Sequence, residues 1–178
     1  PTRPVIFVGV GFETTTPLVA MAIKRAKAMG LANFSVYAAH KNMPGALEVI
    51  INDPALKLDA LILPGHVSTI LGAEPYRFLA EKYGIPGVIT GFEPVDVLQG
   101  IAMIMRQLHE GRAEIENAYA RGVMPEGNPV ALAAIDEVFG TCTATWRGLG
   151  PIEGSGYRIR DEFADFDAMR VHEVEVEP

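Results

Sequence analysis

Apolar runs and helical stripes alternate along the first 110 residues with a period of about 25 to 30 residues, the spacing of strand-plus-helix units. Residues 5–10, Val-Ile-Phe-Val-Gly-Val, are continuously apolar and rich in β-branched side chains, the pattern of a strand covered on both faces. In residues 18–29, Leu18, Ala22, Ile23, Ala26 and Met29 recur at helical spacing with Lys24, Arg25 and Lys27 outside. Thr14, Thr15 or Thr16 caps this helix, Pro17 suits its first turn and Gly30 ends it. Residues 34–39, 58–63 and 86–90 repeat the strand pattern. Short helices are expected from Pro44 to Ile51, over 67–71 and over 74–83. The clearest helix opens at Pro94 and carries Val95, Leu98, Ile101, Ala102, Met105 and Leu108 as a wide apolar stripe down to Gly111. The fold class that follows is α/β: a Rossmann-like parallel sheet with helices on both faces, over residues 1–124.

Beyond Gly111 the pattern weakens. Residues 113–121 look helical, 122–128 are loop, and Asn128 caps a helix through Ala131, Ile135, Val138 and Phe139. Residues 141–156 are glycine-rich and poor in regular pattern, so an irregular C-terminal segment is expected. Residues 157–159 suggest an edge strand, and Phe163, Phe166 and Met169 anchor a terminal helix or turn. Residues 171–177 alternate apolar and acidic, a pattern expected to be loose without a partner.

Composition narrows the function. The 178 residues are 49% apolar and 21% charged, enough to bury a real core. A formal net charge of −7 excludes a basic nucleic-acid footprint and gives no attraction to acidic membrane surfaces. No apolar run approaches the roughly 20 residues that span a bilayer, and no leader pattern opens the chain. The single cysteine, Cys142, forms no intramolecular disulfide and has no adjacent base; it reads as a buried, inert thiol in a reducing compartment, the cytoplasm by default. The chain opens at Pro1 rather than methionine and is expected to be a piece of something longer.

Chemistry concentrates where strands meet helices. Gly91-Phe92-Glu93-Pro94-Val95-Asp96 echoes Gly11-Phe12-Glu13-Thr14-Thr15, and Pro64-Gly65-His66-Val67-Ser68 forms a third such corner. Turns that follow parallel strands gather at one sheet edge, where open α/β folds bind ligands. Glu13 and Glu93 are either convergent carboxylates on one cleft or caps of helix N–H groups. Phe12 and Phe92 read as packed core rather than a stacking platform. His66, like His40 after its own strand, suits a proton donor, a metal ligand or a turn residue; no third ligand at metal spacing accompanies them. Ser68 lies outside any Gly-x-Ser-x-Gly elbow and reads as a helix cap. Gly9-x-Gly11 begins a dinucleotide fingerprint, but the third glycine is missing. Trp146-Arg147 beside glycines serves an interdomain contact or a cation–π pair.

Taken together, these corners with His40-Lys41, Pro44, the Glu116-Asn117-x-Tyr119-x-Arg121 stretch, Gly127-Asn128 and Trp146-Arg147-Gly148-Leu149-Gly150 resemble the hydrogenase maturation factor HypD family, in its order and over almost the whole chain. The resemblance implies a cytoplasmic scaffold on which, with a small HypC-like chaperone and a HypE-like cyanide donor, the Fe(CN)2CO unit of [NiFe]-hydrogenase is assembled. It also implies a [4Fe-4S] cluster in full-length members, and two similar α/β lobes around a cleft. The family's N-terminal Cys-Gly-x-His-x-His and Cys-Pro-x-Cys motifs and its C-terminal cluster cysteines are absent here, so the chain resembles only the middle of the family, no metal ligand is carried over and no cofactor is expected in this chain. Carried over is one wall of the cleft: Glu13, Glu93, His66 and His40 as polarising groups or proton relays, with Gly11, Phe12, Thr14, Thr15, Pro64, Gly65, Ser68, Gly91 and Phe92 shaping it. Residues 125–178 then read as a bridging segment that packs on a missing lobe. Two other readings stay open: a self-contained α/β enzyme using Glu13 and Glu93 as acid and base, and a module that binds another subunit.

Overall fold

Strand β1 (Val5–Gly11) pairs in parallel with β2 (Phe34–His40), from Val5 opposite Phe34 to Gly11 opposite His40, and helix α1 (Thr16–Ala28) connects them. The computed structural model describes residues 3–172, so most of the alternating run at 171–177 lies outside the described residues. After β2 come α2 (Met43–Ile51), β3 (Leu61–Pro64), α3 (Gly65–Leu71), α4 (Arg77–Tyr83), β4 (Gly87–Thr90), α5 (Pro94–Glu110) and β5 (Ile115–Asn117). The chain then runs through α6 (Pro129–Val138), β6 (Phe139–Trp146), β7 (Gly150–Ile159) and α7 (Ala168–Val171). The protein is α/β, with parallel strands flanked by helices, as the patterning predicts.

Packing divides the chain into two compact units. One holds the residues up to Ala46 together with those from Ala133 onward; the other is Leu47–Leu132. The segment from Ala133 onward packs against β2. The reason is the second edge of β2: Lys41 bridges Gly156 of β7, and Val36 bridges Asp167 just before α7. In place of the irregular run expected over 141–156, β6 and β7 form a long antiparallel hairpin, Phe139 opposite Ile159 through Trp146 opposite Gly150, with an irregularity between Cys142 and Ala144. Its threonines alternate (Thr141, Thr143, Thr145), and Gly148 and Gly150 take the positive φ values of 84° and 80° that the turn requires.

In this first unit α1 buries Val19, Ala20, Ile23 and Ala26. Strand β1 departs from its expected burial on both faces: Val5, Ile6, Phe7, Val8 and Val10 are 46% to 66% exposed, because β1 pairs along one edge only among the described residues. In the second unit β3, β4 and β5 form a parallel sheet in that order, with Leu61 opposite Gly87 and Gly87 opposite Ile115. Its core is Leu63, Tyr76, Leu79, Ile89 and Val123. Strand β5 lies where a helix is expected over 113–121. Gly111 ends α5 in the left-handed conformation, and pairing with the wholly buried β4 outweighs the weak helical preference of so short a run. Helix α5 turns Asp96, Gly100, Ile104 and Gln107 inward, Gly100 meeting Thr90 of β4, while Leu98, Ile101, Met105 and Leu108 face outward.

Candidate functional site

Each unit gathers its candidate residues at the C-terminal ends of its parallel strands. In the first unit the chain leaves β1 at Gly11, whose φ of 146° suits glycine and where a Cβ would come within 2.3 Å of the Thr15 hydroxyl. The hydroxyls of Thr15 and Thr16 donate to the Phe12 carbonyl at 3.2 and 2.9 Å and so fold the corner back on itself, while Thr14 stays exposed. This buries Glu13 completely: its Oε1 accepts the Met43 N–H at 2.9 Å, and its Oε2 has no partner. Burial lifts the Glu13 carboxyl above its ordinary range, against smaller opposing effects of backbone hydrogen bonds.

His40 ends β2 opposite Gly11 and is 2% exposed, with neither ring nitrogen partnered. Its ring lies on Gly9, where a Cβ would come within 2.6 Å, and edge-on to Phe139 at 6.1 Å. Burial pushes the imidazole below its ordinary value, so it is held neutral. Phe139 also meets Tyr157, whose phenol is held protonated first by burial and then by the Glu13 charge. The first unit thus holds a buried acid and a buried imidazole with three unpaired polar atoms, and a half-buried phenol near them.

The hairpin is clasped on β2 in the same unit. The Asn42 N–H donates to the Ser155 carbonyl and its side chain to the Gly154 carbonyl. Trp146 Nε1 donates to Ser155 Oγ at 2.9 Å. Lys41 donates to the Thr145 carbonyl and lies 4.9 Å from the Trp146 ring centroid, while Phe12 packs 6.0 Å from the same ring. The cation on Trp146 is thus Lys41 rather than the adjacent Arg147.

In the second unit Pro64 and Thr90 are register partners at the ends of β3 and β4, so the corners that follow them are neighbours. Gly65 is required there, since a Cβ would lie 2.2 Å from the Thr90 carbonyl oxygen. The buried Ser68 hydroxyl donates back to the Pro64 carbonyl at 2.8 Å, which makes it a brace of α3 rather than an exposed nucleophile. His66 is exposed and meets Phe92 edge-to-face at 4.5 Å. Phe92 is 69% exposed, unlike the packed core residue expected, because the turn at Gly91 carries it outward.

The two glutamate corners differ in kind. The Glu93 side chain is 76% exposed and makes no cap to α5, whereas Glu13 is sealed, and the two belong to different units. An acid–base pair on one open pocket requires both carboxylates to be accessible. The buried carboxylate at the second corner is Asp96, held by both guanidinium nitrogens of Arg121 at 2.7 and 2.6 Å, which keep it well below the usual carboxylate range. Arg121 also lies 3.4 Å from Glu93 and over the Tyr119 ring at 4.6 Å. The role of Asp96 was not evident from the sequence; the signal lay in a lone Asp three residues into the first turn, with an arginine on the far side of β5. A hollow of about 430 Å³ in this unit, lined by Glu74, Arg77, Glu81 and Glu114 among others, holds none of the candidates. Among the described residues no group of three or more His, Cys, Asp or Glu could hold a metal ion, and no helix is long and apolar enough to cross a membrane.

The sequence profile of HypD, described as the hydrogenase formation hypA family, matches residues 1–178. The chain belongs to the HypD family. It is 51% identical over 169 residues to the hydrogenase maturation factor HypD of Rhodobacter capsulatus, covering 94% of this chain and 45% of that protein. It is 46% identical over 176 residues to the hydrogenase expression/formation protein HupD of Azotobacter chroococcum, covering 96% and 46%. The HypD of Cupriavidus necator is 43% identical over 185 residues, covering 100% and 49%. The chain spans about half the length of these HypD relatives.

Proposed function

We propose that this chain supplies part of a HypD-type scaffold for [NiFe]-hydrogenase maturation, contributing one wall of the cleft on which the Fe(CN)2CO unit is assembled. The observation that carries the reading is the family match across the whole chain, at 43% to 51% identity to maturation factors. The iron unit is cargo: the chain's groups polarise and shield it, while thiolates from outside this chain hold it. Within the first unit Glu13 and His40 supply neutral hydrogen-bonding groups in a buried setting; within the second, His66, Phe92 and Glu93 supply an accessible surface with an aromatic face. A HypC-like chaperone and a HypE-like cyanide donor are the expected partners, in the cytoplasm. A [4Fe-4S] cluster needs four thiolates, and the chain has only Cys142, whose thiol burial pushes up; the residues present do not fit such a cluster.

The test is a chimera in which this chain replaces the matched 169 residues of the Rhodobacter capsulatus protein, placed in a strain without its own HypD. Restored hydrogenase activity is the expected result, with His66→Ala and Glu93→Gln each lowering it in a chimera of unchanged yield. A stable chimera that restores no activity overturns the reading.

A further inference from the structure

The turn that follows β5 is held more firmly than a connecting loop needs to be. Asn117 ends the strand and grips the turn from both sides: its Oδ1 accepts the Tyr119 N–H at 2.9 Å, and its Nδ2 donates to the Val123 carbonyl at 3.0 Å. The Tyr119 carbonyl accepts the N–H groups of Gly122 and Val123 at 2.9 and 3.0 Å, and Val123 belongs to the core of this unit. So fixed, the half-buried Tyr119 ring lies between the two neighbouring corners. A Cβ on Gly65 would come within 3.0 Å of its Cδ1, and a Cβ on Gly91 within 2.9 Å of its Cδ2 and Cε2, so opposite edges of one ring touch the two corners. Arg121 acts from the same turn. Its two terminal nitrogens hold Asp96 in the first turn of α5, its guanidinium lies over the Tyr119 ring, and it reaches Glu93 at 3.4 Å. Asp96 in turn closes on Gly91, where a Cβ would come within 2.1 Å of its Oδ2. His66 and Phe92 directly follow the two glycines that the ring separates, and Glu93 is the exposed partner of the guanidinium.

We infer that Tyr119 and Arg121 are positioning residues of the second unit's surface: the ring sets the separation of the corners that carry His66 and Phe92, and the guanidinium, anchored on Asp96, fixes Glu93. An exposed imidazole, phenyl ring and carboxylate on two separate turns keep one mutual geometry only when the groups beneath them are locked by packing and hydrogen bonds. The Tyr119 ring supplies the packing and the Asp96–Arg121 pair the hydrogen bonds. Lysine in place of Arg121 would bring a point charge without the planar fork that holds Asp96 and reaches Glu93 together. For its effect on hydrogenase maturation, this rests on the reading of His66, Phe92 and Glu93 as part of the assembly wall; the placement itself is a property of the folded chain.

Two readouts test it: the nuclear Overhauser contact between the His66 and Phe92 rings in the isolated chain, 4.5 Å apart at their centroids, and hydrogenase activity restored by the Rhodobacter capsulatus chimera. Tyr119→Phe keeps the ring and is expected to retain both. Tyr119→Leu keeps an apolar side chain without the ring, and is expected to lose the contact and to lower restored activity by about tenfold or more at unchanged yield. Replacing Arg121 alone would leave the buried Asp96 charge unpaired, so the pair is exchanged together, Asp96→Asn with Arg121→Gln, with the same losses expected. Spectra are compared only where a variant keeps native circular dichroism, since a mere loss of stability leaves the ring contact of the folded chain in place. Retention of the contact in both Tyr119→Leu and the double variant overturns the inference, and so does loss of the contact with activity undiminished. A native chimera that restores no activity overturns the metallocentre reading instead, and the ring contact then decides the placement by itself.

Discussion

Glu13 and His40 are both buried and oppositely perturbed, and their effects on stability run in opposite directions with pH. The Glu13 carboxyl is raised above 4.5, so the fold favours its neutral form; that contribution is full below about pH 4.5 and is lost as pH rises through the raised value. The His40 imidazole is lowered below 6.5, so its contribution is full above pH 6.5 and is lost as pH falls through the lowered value. Glu13→Gln removes the first effect while keeping an oxygen for the Met43 N–H. The variant is therefore expected to gain stability over the native chain at pH 8 and to lose that advantage by pH 4.5, read as the shift in urea midpoint at each pH. A difference that stays constant across this range contradicts the buried acid. The same residue shows what sequence carries and what it does not: Gly11-Phe12-Glu13 announces a corner, but that one carboxylate oxygen meets the Met43 N–H while the other is left without a partner is set by the folded packing.

At the scale of elements, the orientation of α5 is the point at which periodicity runs out. The spacing of Val95, Leu98, Ile101, Met105 and Leu108 states that a stripe exists; it does not state which way the stripe faces. Here the sheet takes the face with Asp96, Gly100 and Gln107, because glycine permits close approach to Thr90 and Gln107 accepts the Glu114 N–H at 2.8 Å. Ile104→Ala is accordingly expected to cost about 2–5 kcal/mol. Leu98→Glu should stay within roughly 0.5 kcal/mol of the native chain, both measured by denaturant unfolding of the isolated protein. If Leu98→Glu proves as costly as Ile104→Ala, the stripe is buried and the orientation is wrong. Elements whose residues sit between strong punctuation, such as β1, α1, β4 and α5, are legible in advance. Strand β5 is too short to show a period, and the β6–β7 hairpin hides because threonine, cysteine and alanine give little contrast between its faces.

For the whole molecule, the single cysteine supplies one of the four thiolates that a [4Fe-4S] cluster takes. Anaerobic reconstitution with iron and sulfide is expected to leave the isolated protein without stoichiometric cluster, and Cys142→Ala is expected to change nothing; a full complement of four irons per chain would contradict the view that ligation comes from outside. The division into two units, with α2 and α6 carrying the chain across between them, also shapes how such experiments are read. The only indole of the protein, Trp146, is seated under Lys41 in the clasp of the first unit. Intrinsic fluorescence excited at the red edge therefore watches that clasp alone. A melt of the β3–β4–β5 sheet would pass in the dark, and a second optical label on that side is needed before any single emission curve is taken for the unfolding of the protein.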